Sequence, residues 1–301
     1  MKEILNCNLC PRMCGIDRFA GMRGYCRAGN KVKVYRSGAH FGEEPPISGN
    51  HGSGTIFFTY CPLSCLYCQN YPWSSGGEGD EIETEDLEEI LKQLASYKCH
   101  NWNFVTPTPW LPFIDKAVRR VRSEGISLPT VYNTSGYERV DIVKKYRNLM
   151  DIVLTDLRYS TPEAAAEGSS ARNYVQFARD FIKWSYEEIG PLETDENAVA
   201  KSGVIVRLLV LPGRSGEAVD SLSWLADNVG TDIAVSLMSQ YTPVHKALET
   251  SSWDRAILKH EFEEVASHMD DLGFESGWVQ QFTSYEADND LLGCNMEKGK
   301  R

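Results

Sequence analysis

The sequence lacks any long apolar run, because nowhere do about 18 consecutive residues form the hydrophobic stretch that a membrane-spanning helix needs. The opening residues MKEILNCNLCPRMCGIDR also have no apolar core and no cleavage site of the kind that marks a secretory signal. Internal repeats and low-complexity segments are absent as well. We therefore expect a protein that is not inserted in a membrane and is cytoplasmic.

Positive charge is scarce outside the first fifty residues. The 301-residue chain has 31 Lys and Arg against 42 Asp and Glu, which gives a net charge of −11. Residues 1–50 carry a net charge of +4 and the rest of the chain carries −15. Phosphate contacts need a basic surface, so bulk nucleic-acid binding is disfavoured. The basic N-terminal segment is either a solvated loop or a surface for an anionic partner.

Most of the nine cysteines fall into two groups. Four lie near the N-terminus and three lie within one stretch of eight residues: Cys7, Cys10, Cys14 and Cys26, and then Cys61, Cys65 and Cys68. In a long chain without a secretory signal, clustered cysteines more often bind metal or carry out redox chemistry than form disulfides. We interpret the two isolated cysteines, Cys99 and Cys294, as inert.

The second group, CPLSCLYC (61–68), offers three thiolates and no neighbouring fourth. Four ligands would close a tetrahedral zinc or iron–sulfur site, whereas three leave one metal position free for a substrate or cofactor. The alternative is a zinc site that a distant ligand completes, such as His51 or Cys99. That alternative gives no role to GTIFFTY (54–60), which reads as a buried strand leading directly into Cys61.

The first group, in CNLCPRMCGIDRFAGMRGYC (7–26), offers four thiolates with spacings of 2, 3 and 11 residues. Four thiolates can form a closed site, and zinc, a single iron or an auxiliary [4Fe–4S] cluster all fit. Such a site would brace the segment or relay electrons, and it could not bind a cofactor without losing a ligand. We predict that residues 1–50 form a loop-rich, metal-binding appendage.

Apolar, strand-like segments alternate with amphipathic helices over the rest of the chain. The predicted strands are GTIFFTY, NFVTP, PTVYN, DIVLTD, GVIVRLLVLPG and DIAVSLM, with GWVQQF as a candidate for a last one. About six strand–helix units predict an α/β fold with a parallel sheet, and six fit a partial (β/α)6 barrel better than a closed eightfold one. We assign this barrel to residues 51–285 and a C-terminal tail to 286–301.

Polar residues follow the predicted strands, at the carboxyl ends where function collects in such folds. These ends are Cys61 onward, TPTPW, NTSGY, DLRY, LPG and SQY. A buried arginine needs anionic or hydrogen-bonding partners, so Arg207, inside a strongly apolar strand, is expected to contact a ligand.

The motif CPLSCLYC is the CxxxCxxC signature of radical S-adenosylmethionine (SAM) enzymes, and the chain resembles that superfamily. HFGEEPPISG (40–49), GSGTIFF (52–58), VYNTSGY (131–137) and VRLLVLPG (206–213) are similar to the branch related to pyruvate formate-lyase activating enzymes, in particular members with an N-terminal cysteine cluster. The resemblance covers roughly residues 5–282 and implies a partial barrel of the radical SAM type.

The resemblance implies that Cys61, Cys65 and Cys68 bind three irons of a [4Fe–4S] cluster while SAM chelates the fourth. One electron would cleave SAM to methionine and a 5′-deoxyadenosyl radical, which abstracts hydrogen from a substrate. An electron donor of the flavodoxin or ferredoxin type is an implied partner. The implied substrate is a glycine of a glycyl-radical protein, or else another protein, an RNA or a small molecule.

Further contacts with SAM are implied by matching motif to motif. Tyr67 takes the aromatic position beside the last cysteine, where family members contact adenine. Thr106 and Thr108 end the second strand, where relatives bind the SAM amino group; the tempting Gly76-Gly77-Glu78 falls in a predicted loop instead. The remaining implied contacts come from later strands and their ends: Asn133, Ser135, Asp156 and Arg207, with Gln240 as a weaker candidate.

Two departures from the family pattern bear on the substrate. Pro109 stands where related sequences have histidine, and Arg158 replaces the lysine of an Asp-Leu-Lys motif. Asp156 and Arg158 could instead form a structural salt bridge. The competing function is a non-catalytic iron–sulfur or zinc protein for electron transfer or scaffolding, which would not form 5′-deoxyadenosine from SAM.

Overall fold

Apolar segments spaced along the chain form one ten-stranded sheet in the computed structural model, which describes residues 2–282. In chain order the strands are β1 (Val32–His40), β2 (Ser53–Phe58), β3 (Asp80–Ile82), β4 (Trp102–Val105), β5 (Thr130–Thr134), β6 (Ile152–Asp156), β7 (Glu193–Thr194), β8 (Ala200–Leu209), β9 (Ala234–Met238) and β10 (Gly277–Val279). The helices are α1 (Pro45–Ser48), α2 (Tyr71–Ser74), α3 (Thr84–Ser96), α4 (Leu111–Ser123), α5 (Val140–Val143), α6 (Pro162–Ser169), α7 (Tyr174–Ile189), α8 (Ser215–Asn228) and α9 (Lys259–Asp271). Short 3₁₀ turns occur at Lys2–Ile4, Thr108–Trp110, Lys144–Leu149 and His245–Glu249.

The sheet is a parallel array with an antiparallel edge. Its order is β10-β9-β8-β6-β5-β4-β2-β1-β3, and β7 pairs with β8 beside this path. From β10 to β2 all neighbours pair in parallel, whereas β1 pairs antiparallel with both β2 and β3. The end strands β10 and β3 do not pair with each other, so the sheet stays open. The predicted α/β partial barrel is thereby confirmed.

Successive side chains along the strands point to opposite faces of the sheet, so the outer face packs against the helices and the inner face forms a separate cluster. On β5, Tyr132 packs into the large core that includes the helices, whereas its neighbour Val131 joins a smaller cluster. That inner cluster is apolar throughout: Ile47, Val131, Ile152, Leu154, Ala200, Ile205 and Ala234. Because side chains alternate between faces, the next inward positions toward the strand ends are Asn133, Asp156 and Arg207. The inner face thus changes from apolar to polar at the carboxyl edge.

Residues 32–40 form β1 and are part of the sheet, although sequence analysis placed them in a loop-rich appendage. The strand pairs with β2 from Val34↔Phe58 to His40↔Ser53, and Val32 and Val34 are buried in the outer core. The residues before β1 form turns and loops apart from the Lys2–Ile4 turn. The division at residue 50 stays a prediction, and the predicted tail (286–301) lies outside the described residues.

Helix α6 was not predicted, since PEAAAEGS has no apolar periodicity. It begins after Thr161, whose hydroxyl accepts a hydrogen bond from the Ala164 amide at 3.3 Å. Helices α3, α4, α7, α8 and α9 are the longer helices and lie between strands of the sheet, in line with the predicted alternation of strands and amphipathic helices. In the described part of the chain, no helix has both the length and the apolar character that a bilayer crossing requires.

Candidate functional site

A cavity at the carboxyl edge of the parallel strands contains the three closely spaced cysteines. Its walls come from the loop after β2 and from the ends of β4, β5, β6 and β8, and among them are Cys61, Cys65, Cys68, Thr106, Asn133, Ser135, Asp156, Arg158 and Arg207. Neither a fourth cysteine nor a histidine lines this cavity in the described chain. The fold therefore brings together strand ends that are up to about 150 residues apart in sequence.

A second cavity continues the first toward β9. The two share Cys68, Asn70, Asp156, Arg158 and Arg207 in their walls. The second is also lined by Tyr67, Leu209, Met238 and Gln240. Together they form one cleft with a thiol-lined end and a more apolar end, and we refer to both as the cleft below.

Each of the three thiols contacts a different set of polar groups. The Cys65 sulfur lies 2.9 Å from the Ser169 hydroxyl and also accepts a hydrogen bond of 2.9 Å from Arg158 Nη1. The Cys68 sulfur is 3.2 Å from the Ser74 hydroxyl, and the Leu63 amide donates to Cys61 at 3.4 Å. These groups support negative charge on the sulfurs.

Burial makes the thiols of Cys61 and Cys68 hard to ionise without a cation. It raises the pKa of Cys61, and the neighbouring thiols of Cys65 and Cys68 raise it further. Burial, together with Cys65, also raises the pKa of Cys68 to about 11. A bound metal reverses this preference, because a coordinating thiol is deprotonated.

Within residues 2–282, no group of three or more cysteine, histidine or carboxylate side chains is arranged to hold a metal ion. An iron–sulfur cluster uses a wider arrangement, since each of its thiolates binds a different iron. The donor set on the cavity wall, three thiols and no fourth, fits a cluster that keeps one iron free.

A zinc site completed by His51 or Cys99 is ruled out by position. His51 precedes β2 and its ring packs at a tilt against that of His100, with ring centres 5.3 Å apart. Cys99 lies beside Gly54, at the start of the same strand. Cys61 follows the far end of β2, and the six residues between span roughly 20 Å.

Arg207 is held by protein groups on three sides. Its Nε donates to Asp156 Oδ1 at 2.8 Å, its Nη2 donates to Asn133 Oδ1 at 2.8 Å, and its Nη1 lies 3.6 Å from Glu43 Oε2. Arg158 binds the other Asp156 oxygen through Nε and Nη2, at 3.0 and 2.6 Å. Although burial raises the pKa of Asp156, Arg207 and Arg158 hold it below its ordinary value. The salt bridge of Asp156 and Arg158, which the sequence left as an alternative to ligand contact, is therefore present inside the cleft.

Two residues that sequence analysis did not select, Glu43 and Glu44, lie under this charged layer. Glu43 accepts hydrogen bonds from Asn103 and Asn133 at 3.0 and 3.2 Å. Burial raises the pKa of both carboxyls, while Arg207 opposes that shift. The sequence feature that could have indicated these two residues is the pair of acids in HFGEEPPISG, which precedes two prolines in an otherwise loop-like segment.

Tyr67 lies in the cleft, but Thr108 does not. The Tyr67 hydroxyl is 2.7 Å from that of Tyr159, and its ring stacks on Trp253 with centres 5.3 Å apart. Thr108 is fully buried and donates a hydrogen bond of 2.6 Å to Glu138. Thr108 belongs to the loop after β4 but lines neither cavity.

The four N-terminal cysteines also come together. Burial raises the pKa of Cys26, and Cys7 and Cys14 lie close enough to raise it further. In the same way, burial and then Cys26 and Cys7 raise the pKa of Cys10. The Tyr25 amide donates to the Cys14 sulfur at 3.4 Å. No disulfide joins any of the eight cysteines in the described part of the chain.

Comparison with known proteins gives one family and several similar chains. A profile described as the Radical SAM superfamily matches residues 55–224. The uncharacterized protein MJ0674 of Methanocaldococcus jannaschii is 28% identical over 271 residues, which cover 86% of this chain and 73% of that protein.

Two solved structures are similar to this one. A domain of a pyruvate-formate lyase-activating enzyme from Bacteroides vulgatus has a TM-score of 0.40 and 11% identity, covering 56% of this chain and 91% of that one. SuiB of Streptococcus suis, bound to S-adenosylmethionine, has a TM-score of 0.49 and 12% identity, covering 74% of this chain and 48% of that one.

Proposed function

The chain belongs to the radical SAM superfamily, and from this premise we propose that it cleaves SAM reductively at a [4Fe–4S] cluster bound by Cys61, Cys65 and Cys68. The observation that carries the proposal is the cavity wall with three thiols and no fourth cysteine or histidine among the described residues. When bound, the cluster would supply the electron that splits SAM into methionine and a 5′-deoxyadenosyl radical.

For the thiol-lined end of the cleft, we propose that protein groups balance and orient charge. Arg158 donates to the Cys65 sulfur and is itself fixed by Asp156, so it would offset the negative charge of the cluster thiolates. Thr106, Asn133 and Ser135 line the same end and offer polar groups to the amino and carboxylate ends of SAM. These assignments rest on their shared wall and on the family resemblance.

The apolar end of the cleft suits an adenine ring. Tyr67, Leu209 and Met238 provide flat or flexible apolar surface there, and Gln240 provides an amide for hydrogen bonding. Arg207 lines both ends, but two of its three nitrogens already donate to Asp156 and Asn133. We therefore propose that Arg207 acts on SAM mainly by holding Asp156 in place.

For the substrate, we propose a glycine of a partner protein, because the motifs resemble those of activating enzymes. Another protein, an RNA or a small molecule is the alternative, and the net charge of −11 disfavours RNA. A flavodoxin or ferredoxin would supply the electron. A glycyl-radical signal in a candidate partner after incubation with SAM would separate the first substrate class from the others.

The proposed reaction is tested by 5′-deoxyadenosine formation from SAM under anaerobic conditions with dithionite. Wild type should form the product, and the variant with Cys61, Cys65 and Cys68 replaced by alanine should not. Cys99→Ala is the matched control, because that buried thiol lies at the opposite end of β2. Absence of product from cluster-loaded wild type would favour the non-catalytic alternative.

A further inference from the structure

Arg18 is a buried cation that hydrogen-bonds only to neutral groups within residues 2–282. Its side chain is only 1% exposed. Nε donates to the Gly29 carbonyl at 2.6 Å and Nη1 to the Pro109 carbonyl at 2.7 Å, while the guanidinium lies 5.1 Å from the centre of the Trp110 ring. The third nitrogen, Nη2, is buried and makes no hydrogen bond of normal geometry. Burying an uncompensated charge is costly, so this arginine needs an anion.

The groups beside this guanidinium that can become anionic are thiols. The Cys7 amide donates to the Ile16 carbonyl at 2.8 Å and the Arg18 amide donates to the Ile4 carbonyl at 2.9 Å, so the segment of Cys7 runs beside the segment of Arg18. The Gly29 carbonyl that accepts from Arg18 Nε follows Cys26 by three residues. Cys7 and Cys26 therefore bring thiols to the side of Arg18. With a metal they become thiolates, and four of them on a divalent ion or on an oxidised [4Fe–4S] cluster leave a double negative charge.

We propose that Cys7, Cys10, Cys14 and Cys26 bind a metal centre as four thiolates, and that Arg18 is the buried counter-charge of this centre. The proposal covers a single zinc or iron ion as well as a [4Fe–4S] cluster, since each is an anionic tetrathiolate. Among the described residues the four thiols are not arranged as the ligands of a single ion, whereas a [4Fe–4S] cluster uses a wider arrangement, because each thiolate binds a different iron.

The chain around the four thiols leaves room for such a centre. Gly24 packs against Cys14 so closely that a Cβ at position 24 would lie only 2.8 Å from the Cys14 sulfur. Met13 and Gly15 have positive φ angles of 42° and 64°, which turn the backbone sharply on both sides of Cys14. The Gly15 amide donates to the Cys7 carbonyl at 2.9 Å, which closes the loop between these cysteines.

Arg18 also connects this centre to the cleft. Its Nη1 donates a hydrogen bond to the carbonyl of Pro109, in the loop after β4. Thr106 of the same loop lines the cavity that contains Cys61. Arg12 makes a second link, donating to the Pro62 carbonyl at 2.9 Å, directly after Cys61. The centre would therefore brace two of the loops around the cleft.

The metal site is tested first by metal analysis, in a background that lacks the second cysteine group. The full chain with Cys61, Cys65 and Cys68 replaced by alanine should keep metal when purified anaerobically from zinc- and iron-replete cells. About one zinc or iron per chain indicates a single ion, and about four irons with visible absorption indicate a cluster. Further replacement of Cys7, Cys10, Cys14 and Cys26 should remove the metal, whereas Cys99→Ala should not. A metal-free triple variant overturns the proposal, whatever the outcome of the SAM assay.

The role of Arg18 is tested by chelator competition in the same background. Arg18→Met should weaken metal binding by roughly tenfold or more, because the thiolates lose their counter-charge, and Arg18→Lys should recover part of the loss. Arg120→Met is the matched control, since that arginine is exposed on α4 and pairs with Glu124 at the end of the same helix. Equal metal affinities in all four proteins would contradict the proposal.

The loss of thermal stability on chelation is a second measurement, and it tests the role of Arg18 even if Arg18→Met disturbs folding. Wild type should lose more thermal stability on chelation than Arg18→Met, because metal removal leaves an unpaired buried charge only in wild type. An identical loss in both proteins would overturn the role of Arg18.

Discussion

At the scale of single residues, Glu138 is the buried carboxyl that joins two of the loops around the cleft. Its Oε1 accepts hydrogen bonds from Thr108, after β4, and from Thr134, at the end of β5, at 2.6 and 2.5 Å. Burial raises the pKa of Glu138 from an ordinary value of 4.5 to about 7, although both hydroxyls lower it. The folded protein therefore prefers a protonated carboxyl at this position.

Replacement of Glu138 by glutamine should remove a pH-dependent loss of stability. Below about pH 4.5 the carboxyl is protonated in both the folded and the unfolded state, so it has no effect. Between about pH 4.5 and 7 only the unfolded state releases the proton, which favours unfolding as pH rises. The stability of wild type relative to Glu138→Gln should therefore fall by roughly 3 kcal/mol from pH 4.5 to 8.

Urea unfolding of both proteins at several pH values, in the same metal state, measures this difference. Glutamine keeps the oxygen acceptor for both threonines, which makes it the conservative replacement. A difference in unfolding free energy that does not change with pH would mean that Glu138 is already ionised in the folded protein.

Sequence reasoning reached the residues of the cleft more easily than their partners. Spacing alone indicated Cys61, Cys65 and Cys68, because ligands on one loop have a local signature. The partners of Arg207 come from three separate segments of the chain, and no local pattern connects one of them, Glu43, to Arg207. Thr108 lies outside the cleft because the chain turns at Thr106, which has a positive φ of 59°. The local sequence does not indicate this turn.

At the scale of elements, helix α6 supports the loop that carries the three cysteines. The carbonyl of Ser169 accepts from the Ser64 amide at 3.3 Å, and that of Gly168 accepts from the Leu66 amide at 3.0 Å. Gly168 is packed so tightly that a Cβ there would lie 2.4 Å from the Tyr159 hydroxyl and 2.9 Å from the Trp253 ring. The end of α6 is thus fitted to the cysteine loop.

Replacement of Gly168 by alanine should therefore disturb this loop. Displacing Tyr159 breaks its hydrogen bonds with Tyr67 and Ser169, so we expect a loss of about 1–3 kcal/mol in stability and fewer irons per chain after reconstitution. Gly216→Ala in α8 is the matched control, because a Cβ there meets nothing within 4 Å. The control should be neutral or stabilising by up to about 1 kcal/mol. Equal iron content in both variants would argue against this role of α6.

The elements that sequence analysis missed have weak local signals. Strand β1 has charged and small residues among its apolar ones, and its position is set by pairing with β2 rather than by its own periodicity. Helix α6 is short and rich in alanine, and its stability comes from packing under the cysteine loop. The buried parallel strands were predictable because their apolar runs are continuous.

At the scale of the whole molecule, the basic N-terminal segment is attached to the barrel by arginines. Arg12 and Arg18 reach from the segment to the loops after β2 and β4, and Arg139 reaches back from the barrel to the Asn8 carbonyl at 3.1 Å. The positive charge of residues 1–50, read from sequence as a solvated loop or a partner surface, therefore serves in part to hold the segment against the cleft.

The central claim is that one iron of the cluster has no protein ligand and binds SAM directly. The most direct measurement is electron–nuclear double resonance on the reduced, cluster-loaded protein with SAM labelled by ¹⁵N at its amino group. The account predicts a hyperfine coupling between the cluster and the labelled nitrogen, lost when excess unlabelled SAM is added. A reduced cluster with bound SAM and no such coupling would contradict the claim.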